Sequence, residues 1–253
     1  MASDAYGRRT ALAVIGPAGP MRPPLFRICS RMYSSRMGTE PQQGRGRYDV
    51  SGNVEAEYVD AQKTILRNKQ GIADLQTLEV AEEEALAQAY ETLLTEVRAD
   101  TPMTCELLRY IHLQIFGDLY EWAGRWRTVW ISKPGITWPA PDFLDSNMQV
   151  FEREVLGRHP VRAMEDDRAF CAAVGEIQGE FLVIHPFREG NARTIKLLTD
   201  LLTTQTGRPL LIYDGSEAGQ HRYLAAARDA FKKDYTPMAE IISQALTRAR
   251  NAR

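Results

Sequence analysis

The sequence predicts a mainly α fold, a helical bundle interrupted once by a β-hairpin. Apolar residues recur at spacings of three and four in successive stretches from Leu75 to the C-terminus, the mark of one buried helical face. Capping residues and glycines punctuate those stretches. A single Pro-Gly pair, Pro134-Gly135, lies between two short runs of β-branched and aromatic residues, which reads as two strands about a turn.

Taken in order, Leu86, Ala89, Leu93 and Val97 share one face of a first helix that begins near Leu75. Thr101-Pro102 has the composition of an N-cap and first-turn proline, opening a second helix with Leu108, Ile111 and Ile115 inward and Gly117 as its stop. Thr128 to Ile131 and Ile136 to Trp138 are the expected strands. Asp166 or Asp167 caps a helix whose Phe170, Val174, Ile177 and Phe181 face the core. Ile195, Leu198 and Leu202 belong to a buried helix closed by Gly207. Ser216 then caps a helix carrying Tyr223, Ala226, Ala227 and Ala230, and Ile241, Ala245 and Leu246 mark the last one.

At 253 residues the chain can bury a real core and suits one domain with extensions. A formal net charge of −2 offers no general attraction to nucleic acid or to an anionic membrane. Neither partner is expected. Cys29, Cys105 and Cys171 are odd in number and lack ligand spacing, which points away from a disulfide framework or structural zinc. A reducing, cytoplasmic setting fits, and no apolar run approaches the length of a membrane span. Residues 1–47 are rich in Arg, Gly, Pro and Ser with only Asp4 and Glu40 as acids, and are read as a disordered basic arm. An organellar import signal is the alternative, because Arg27 to Arg36 has that composition. A third reading starts the protein at Met37.

Chemistry concentrates in His185-Pro186-Phe187-Arg188-Glu189-Gly190-Asn191-Ala192-Arg193, a polar segment wedged between two apolar helices. The amides of Gly190, Asn191, Ala192 and Arg193 would open the second of these helices, and unpaired amides at a helix N-terminus bind anions, phosphate above all. Gly190 lets a phosphate approach the backbone, and the Arg193 guanidinium has the fork that matches phosphate. Glu189 is a hard oxygen ligand suited to a Mg²⁺ ion shared with substrate phosphates. His185 titrates near neutrality and suits a general base. Tyr223 is read as core, with stacking on a nucleobase as the alternative.

His185 to Lys196 resembles the Fic signature, His-Pro-Phe-x-Asp/Glu-Gly-Asn-Gly-Arg-x-x-Arg. The resemblance extends from Tyr48 through Trp122-Ala123-Gly124 and the hairpin to the last helix. It implies an N-terminal extension over 48–100 and a Fic domain over 101–249. It implies a protein adenylyltransferase that moves AMP from ATP to a Ser, Thr or Tyr hydroxyl of a target protein, with His185 as base, Glu189 holding Mg²⁺, and Gly190, Asn191, Ala192, Arg193 and Lys196 at the phosphates. Ile131, Ser132, Lys133 and Pro134 would form the flap that docks the target by strand addition.

Two residues depart from the signature. Ala192 replaces a glycine, at small cost if its φ is negative and roughly 1 kcal/mol or more if positive; the related Doc-like kinases carry Lys there. Lys196 keeps the charge of the family's second Arg and loses its fork. The nearest match to the family's inhibitory helix, Ser51 to Glu55, has Gly52 and Asn53 within it and reads as a turn. Any restraint would therefore come in trans, from a small antitoxin-like protein. Alternatives within the fold are another nucleotide donor, Doc-like phosphorylation, or a module that binds nucleotide or a partner without turnover.

Overall fold

The computed structural model describes residues 53–252; the basic arm and the Tyr48 to Gly52 opening lie outside the described residues. Helix α1, Leu75–Glu96, is capped by the Asp74 carboxylate, which accepts from the Thr77 amide. Its buried stripe runs Leu78, Glu82, Leu86, Ala89, Tyr90 and Leu93. Helix α2, Cys105–Phe116, starts later than Thr101-Pro102 suggested. Thr104 is the N-cap, accepting from the Leu107 amide, whereas the Thr101 hydroxyl accepts from the Arg98 amide and its carbonyl accepts from Gln205. Thr101 is used up in holding the connector, so the next hydroxyl at hand caps the helix.

The hairpin is also shorter than the sequence suggested. Strands β1, Ser132–Lys133, and β2, Ile136–Thr137, pair antiparallel with Ser132 opposite Thr137 and Lys133 opposite Ile136. The Trp138 amide extends the pairing to the Ile131 carbonyl at 3.4 Å. Thr128 and Val129 stay outside the ladder because side chains claim them. The Thr128 amide donates to Glu55 at 2.8 Å, and the Val129 carbonyl accepts from Arg127 at 2.8 Å.

Helix α3, Leu144–Phe151, runs on through a wider turn at Glu152–Leu156. Helix α4, Asp167–Ile184, is capped by Asp166 and forms the middle of the bundle, with residues from Phe170 to Ile184 buried on most of its sides. Helix α5, Asn191–Gln205, is buried almost throughout. Helix α6, Glu217–Asp229, is capped by Ser216, and helix α7, Thr236–Asn251, closes the fold along α4. A single core cluster takes in residues from α1 to α7, so the helix from the N-terminal extension packs into the same interior as the rest.

Among the described residues, buried side-chain polar atoms are paired except Trp122 Nε1 and His185 Nδ1. Gln178 donates to the Thr199 and Tyr213 hydroxyls at 2.8 Å each and accepts from Tyr223 at 2.9 Å. Tyr223 is thus a core residue. Burial raises the Asp200 carboxyl to about 7 against the hydrogen bonds it accepts from Tyr90 and the Leu211 amide. The α4–α7 crossing is close enough that a Cβ on Gly175 would lie 2.7 Å from the Ala239 backbone nitrogen. Gly175→Ala should therefore cost about 1–3 kcal/mol of stability in urea unfolding, and an unchanged midpoint would show that the helices can part at no cost.

Candidate active site

The polar segment is a short loop between α4 and α5, and its shape follows from two left-handed residues. His185 ends α4 with φ 51° and ψ 59°, its amide still donating to the Phe181 carbonyl at 2.8 Å. Such a conformation costs a non-glycine residue about 1–2 kcal/mol, and it turns the chain sharply out of the helix. Gly190 has φ 77° and is the N-cap of α5. Here glycine is required twice over, because a Cβ would sit 2.1 Å from the Phe116 ring. The side of Gly190 that lacks a side chain is thus filled by the core and was not left open for phosphate. Ala192 is helical, outside the positive-φ set, so its methyl carries the smaller of the two costs.

From His185 to Gly190, five carbonyls are held by protein donors. Arg127 Nε donates to the His185 carbonyl at 2.9 Å and the Arg127 amide to the Pro186 carbonyl at 2.8 Å. Asn191 brackets Phe187, accepting from its amide at 2.9 Å and donating to its carbonyl at 2.8 Å. His112 Nε2 lies 3.1 Å from the Glu189 carbonyl, and the Gly190 carbonyl accepts from the Thr194 amide and hydroxyl. That Thr194 bond is the first of the α5 ladder. The amides of Asn191, Ala192 and Arg193 precede it, the positions where a helix offers donors to an anion. The Gly190 amide meets the Glu189 carboxylate at 2.9 Å.

The His185 ring lies against the Trp138 indole at 4.3 Å, and Trp138 in turn donates to the Leu182 carbonyl at 3.0 Å. Its Nδ1 is buried with no hydrogen-bond partner, while the residue as a whole is half-buried. Burial lowers its pKa from 6.5 to about 3, against the pull of Glu189. Lys133 at the hairpin and Arg127 push the same way as burial. The side chain of Glu189 is 40% exposed and reaches within 3.7 Å of Arg193.

Arg193 and Lys196 are not presented to solvent. Arg193 is 5% exposed, bonded to the Glu82 carboxylate at 2.8 Å, with its guanidinium 4.6 Å over the Phe116 ring; Tyr120 donates to the other Glu82 oxygen at 2.7 Å. The ammonium of Lys196, 2% exposed, lies 3.9 Å over Tyr223 and 4.4 Å over Tyr213. Of the hairpin residues, Ser132, Lys133 and Pro134 are exposed and Ile131 half-buried. The hairpin stem reaches the loop through Trp138 on His185 and through Arg127.

Arg127, His112, Glu82 and Trp138 were not picked out as site residues from sequence. Two of them carried a signal: Glu82 and His112 are polar residues on otherwise apolar helical faces, beside Leu78 and Leu86 and beside Leu108 and Ile115. Among the described residues no cluster of three or more His, Cys, Asp or Glu could hold a metal, and no helix is long and apolar enough to cross a membrane.

Residues 102–203 match the Fic/DOC family model. The chain is similar to the probable protein adenylyltransferase y4lH of Sinorhizobium fredii, 29% identical over 175 residues, which covers 69% of this chain and 88% of that protein. It is 29% identical over 151 residues to the protein adenylyltransferase VbhT of Bartonella schoenbuchensis, covering 59% of this chain and only 31% of VbhT. The fold is shared with a crystal structure of the BepC protein of Bartonella tribocorum with bound AMPPNP, at a TM-score of 0.61 and 18% identity, covering 76% of this chain and 97% of that one.

Because His112, fully buried, and His185, with Nδ1 buried against Trp138, have pKa values lowered to about 3, each is neutral well below the ordinary titration range. Their ring resonances should stay flat from about pH 8 to about pH 5 in an NMR titration. A midpoint near 6.5 for His185 would mean that the ring is far better solvated than its packing on Trp138 allows.

Proposed function

The chain belongs to the Fic/DOC family, and from that premise we propose that it is a protein adenylyltransferase, transferring AMP from ATP to a hydroxyl side chain of another protein. The observation that carries this reading is the pairing, on one short loop, of a neutral imidazole on a half-buried residue and a helix N-terminus whose neighbouring carbonyls are held by protein donors. An incoming Ser, Thr or Tyr hydroxyl gives its proton to His185 as its oxygen bonds to the α-phosphorus; the bond from that phosphorus to the bridging oxygen breaks, and pyrophosphate leaves with the electron pair. The main-chain amides that open α5 hold the phosphates, since Arg193 is committed to Glu82 and Lys196 lies between tyrosine rings. The exposed hairpin, Ile131 to Pro134, receives the target segment by main-chain pairing.

Glu189 would hold Mg²⁺. One partly exposed carboxylate with no neighbouring ligand cluster fits an ion that takes its other ligands from a polyphosphate and water, and does not fit a resident all-protein site. When bound, the ion neutralises charge on the triphosphate. Restraint in trans by a small antitoxin-like protein belongs to the same reading.

A second reading, nucleotide binding without turnover, draws on the burial of both signature cations. Intact-protein mass spectrometry separates the two, with the purified chain incubated with MgCl₂ and each of ATP, GTP, UTP and CTP. We expect self-modification by one AMP from ATP, abolished in His185→Ala and cut about tenfold to a hundredfold in Glu189→Gln. A gain of phosphate instead would mark a Doc-like kinase. No gain with any nucleotide, despite binding, would favour the second reading.

A further inference from the structure

His112 is fully buried on the inner face of α2, yet it is polar at both ring nitrogens. The Gly124 amide donates to Nδ1 at 2.9 Å, so Nδ1 carries no proton. A neutral ring must then carry its proton on Nε2, which donates to the Glu189 carbonyl at 3.1 Å. The ring also stacks on Phe187 at 3.8 Å and 14°, so it touches the loop at two places. The Glu189 carbonyl and the Gly190 amide belong to one planar trans peptide and point in opposite directions. Pinning the carbonyl inward therefore aims the Gly190 N–H outward, towards the Glu189 carboxylate that it now meets at 2.9 Å. A reversed peptide would place a carbonyl oxygen where an anion is to bind.

We propose that His112 is a positioning residue, which holds the Glu189–Gly190 peptide with its amide facing the anion site and so sets the direction of the Glu189 side chain. Its consequence for nucleotide binding rests on the transferase reading above; its geometry does not.

The two hydrogen bonds can be separated by substitution. His112→Gln carries an amide nitrogen at the place of Nε2 and can still donate to Glu189. His112→Asn has an oxygen at the place of Nδ1 and serves only Gly124, and His112→Phe keeps the ring alone. Amide hydrogen exchange over residues 188–192 of the full chain, without nucleotide, should be about tenfold or more faster in the Asn and Phe variants and near wild type in the Gln variant. Equal exchange in all three, or a Gln variant as fast as the Asn variant, would overturn the proposal. If the variants fail to fold, ¹⁵N NMR of wild-type His112 decides: a proton on Nε2 is expected, and one on Nδ1 would refute it. ATP affinity in MgCl₂ by calorimetry should fall about tenfold to a hundredfold in the Asn and Phe variants alone. Failure of the wild-type chain to bind ATP would count against the transferase reading, while the exchange and ¹⁵N results would still judge His112.

Discussion

A tight loop between two buried helices has to dispose of its carbonyls, and much of this molecule is arranged around that requirement. Buried carbonyls need donors, and here two come from far along the chain, Arg127 for His185 and Pro186 and His112 for Glu189, and two from the next helical turn, Asn191 for Phe187 and Thr194 for Gly190. The two most distant are also costly groups to bury. Arg127 is 2% exposed, and its pKa is lowered to about 10 by that burial, yet it stays charged at neutral pH, with three carbonyls accepting from it and Glu55 pulling the other way. The neutral His112 avoids the charge altogether.

The family-matched region does not complete this arrangement by itself. Glu82 on α1, upstream of residue 102, neutralises Arg193; removing one partner of a pair so buried costs about 3–5 kcal/mol. Further upstream, Glu55 lies in a short helical turn, Val54–Ala56, capped by Asn53. Its carboxylate takes the Thr128 amide and hydroxyl, while its carbonyl takes Arg188 Nε at 2.8 Å and the Tyr58 hydroxyl takes Arg188 Nη2 at 2.7 Å. The segment read from sequence as a turn thus straps the loop to the stem of the hairpin.

The helices were legible because burial on one face writes a period into the sequence, and Asp166, Gly117 and Ser216 stand where their caps were expected. The loop was legible because polar residues between two apolar helices have no packing reason to be there. What escaped was whatever depends on partners distant in sequence. The carbonyls served by Arg127 and His112 lie 58 and 77 residues away, and main-chain carbonyls leave no trace in residue identity. The same blindness explains Gly190, whose need for glycine is set by Phe116, and Arg193, whose fork is occupied by Glu82. Helix α2 and the hairpin were misjudged at their ends because Thr101 and Thr128 serve tertiary contacts that override local preference.

Arg127 stands on three feet: the carbonyls of His185, Val129 and Pro139. Two of these flank the hairpin and the third belongs to the imidazole-bearing residue, so one planar guanidinium forms a rigid joint between surface ribbon and buried ring. The hairpin stem and the main chain of His185 therefore share one buried side chain, and a shift of either would have to be absorbed by the same three hydrogen bonds.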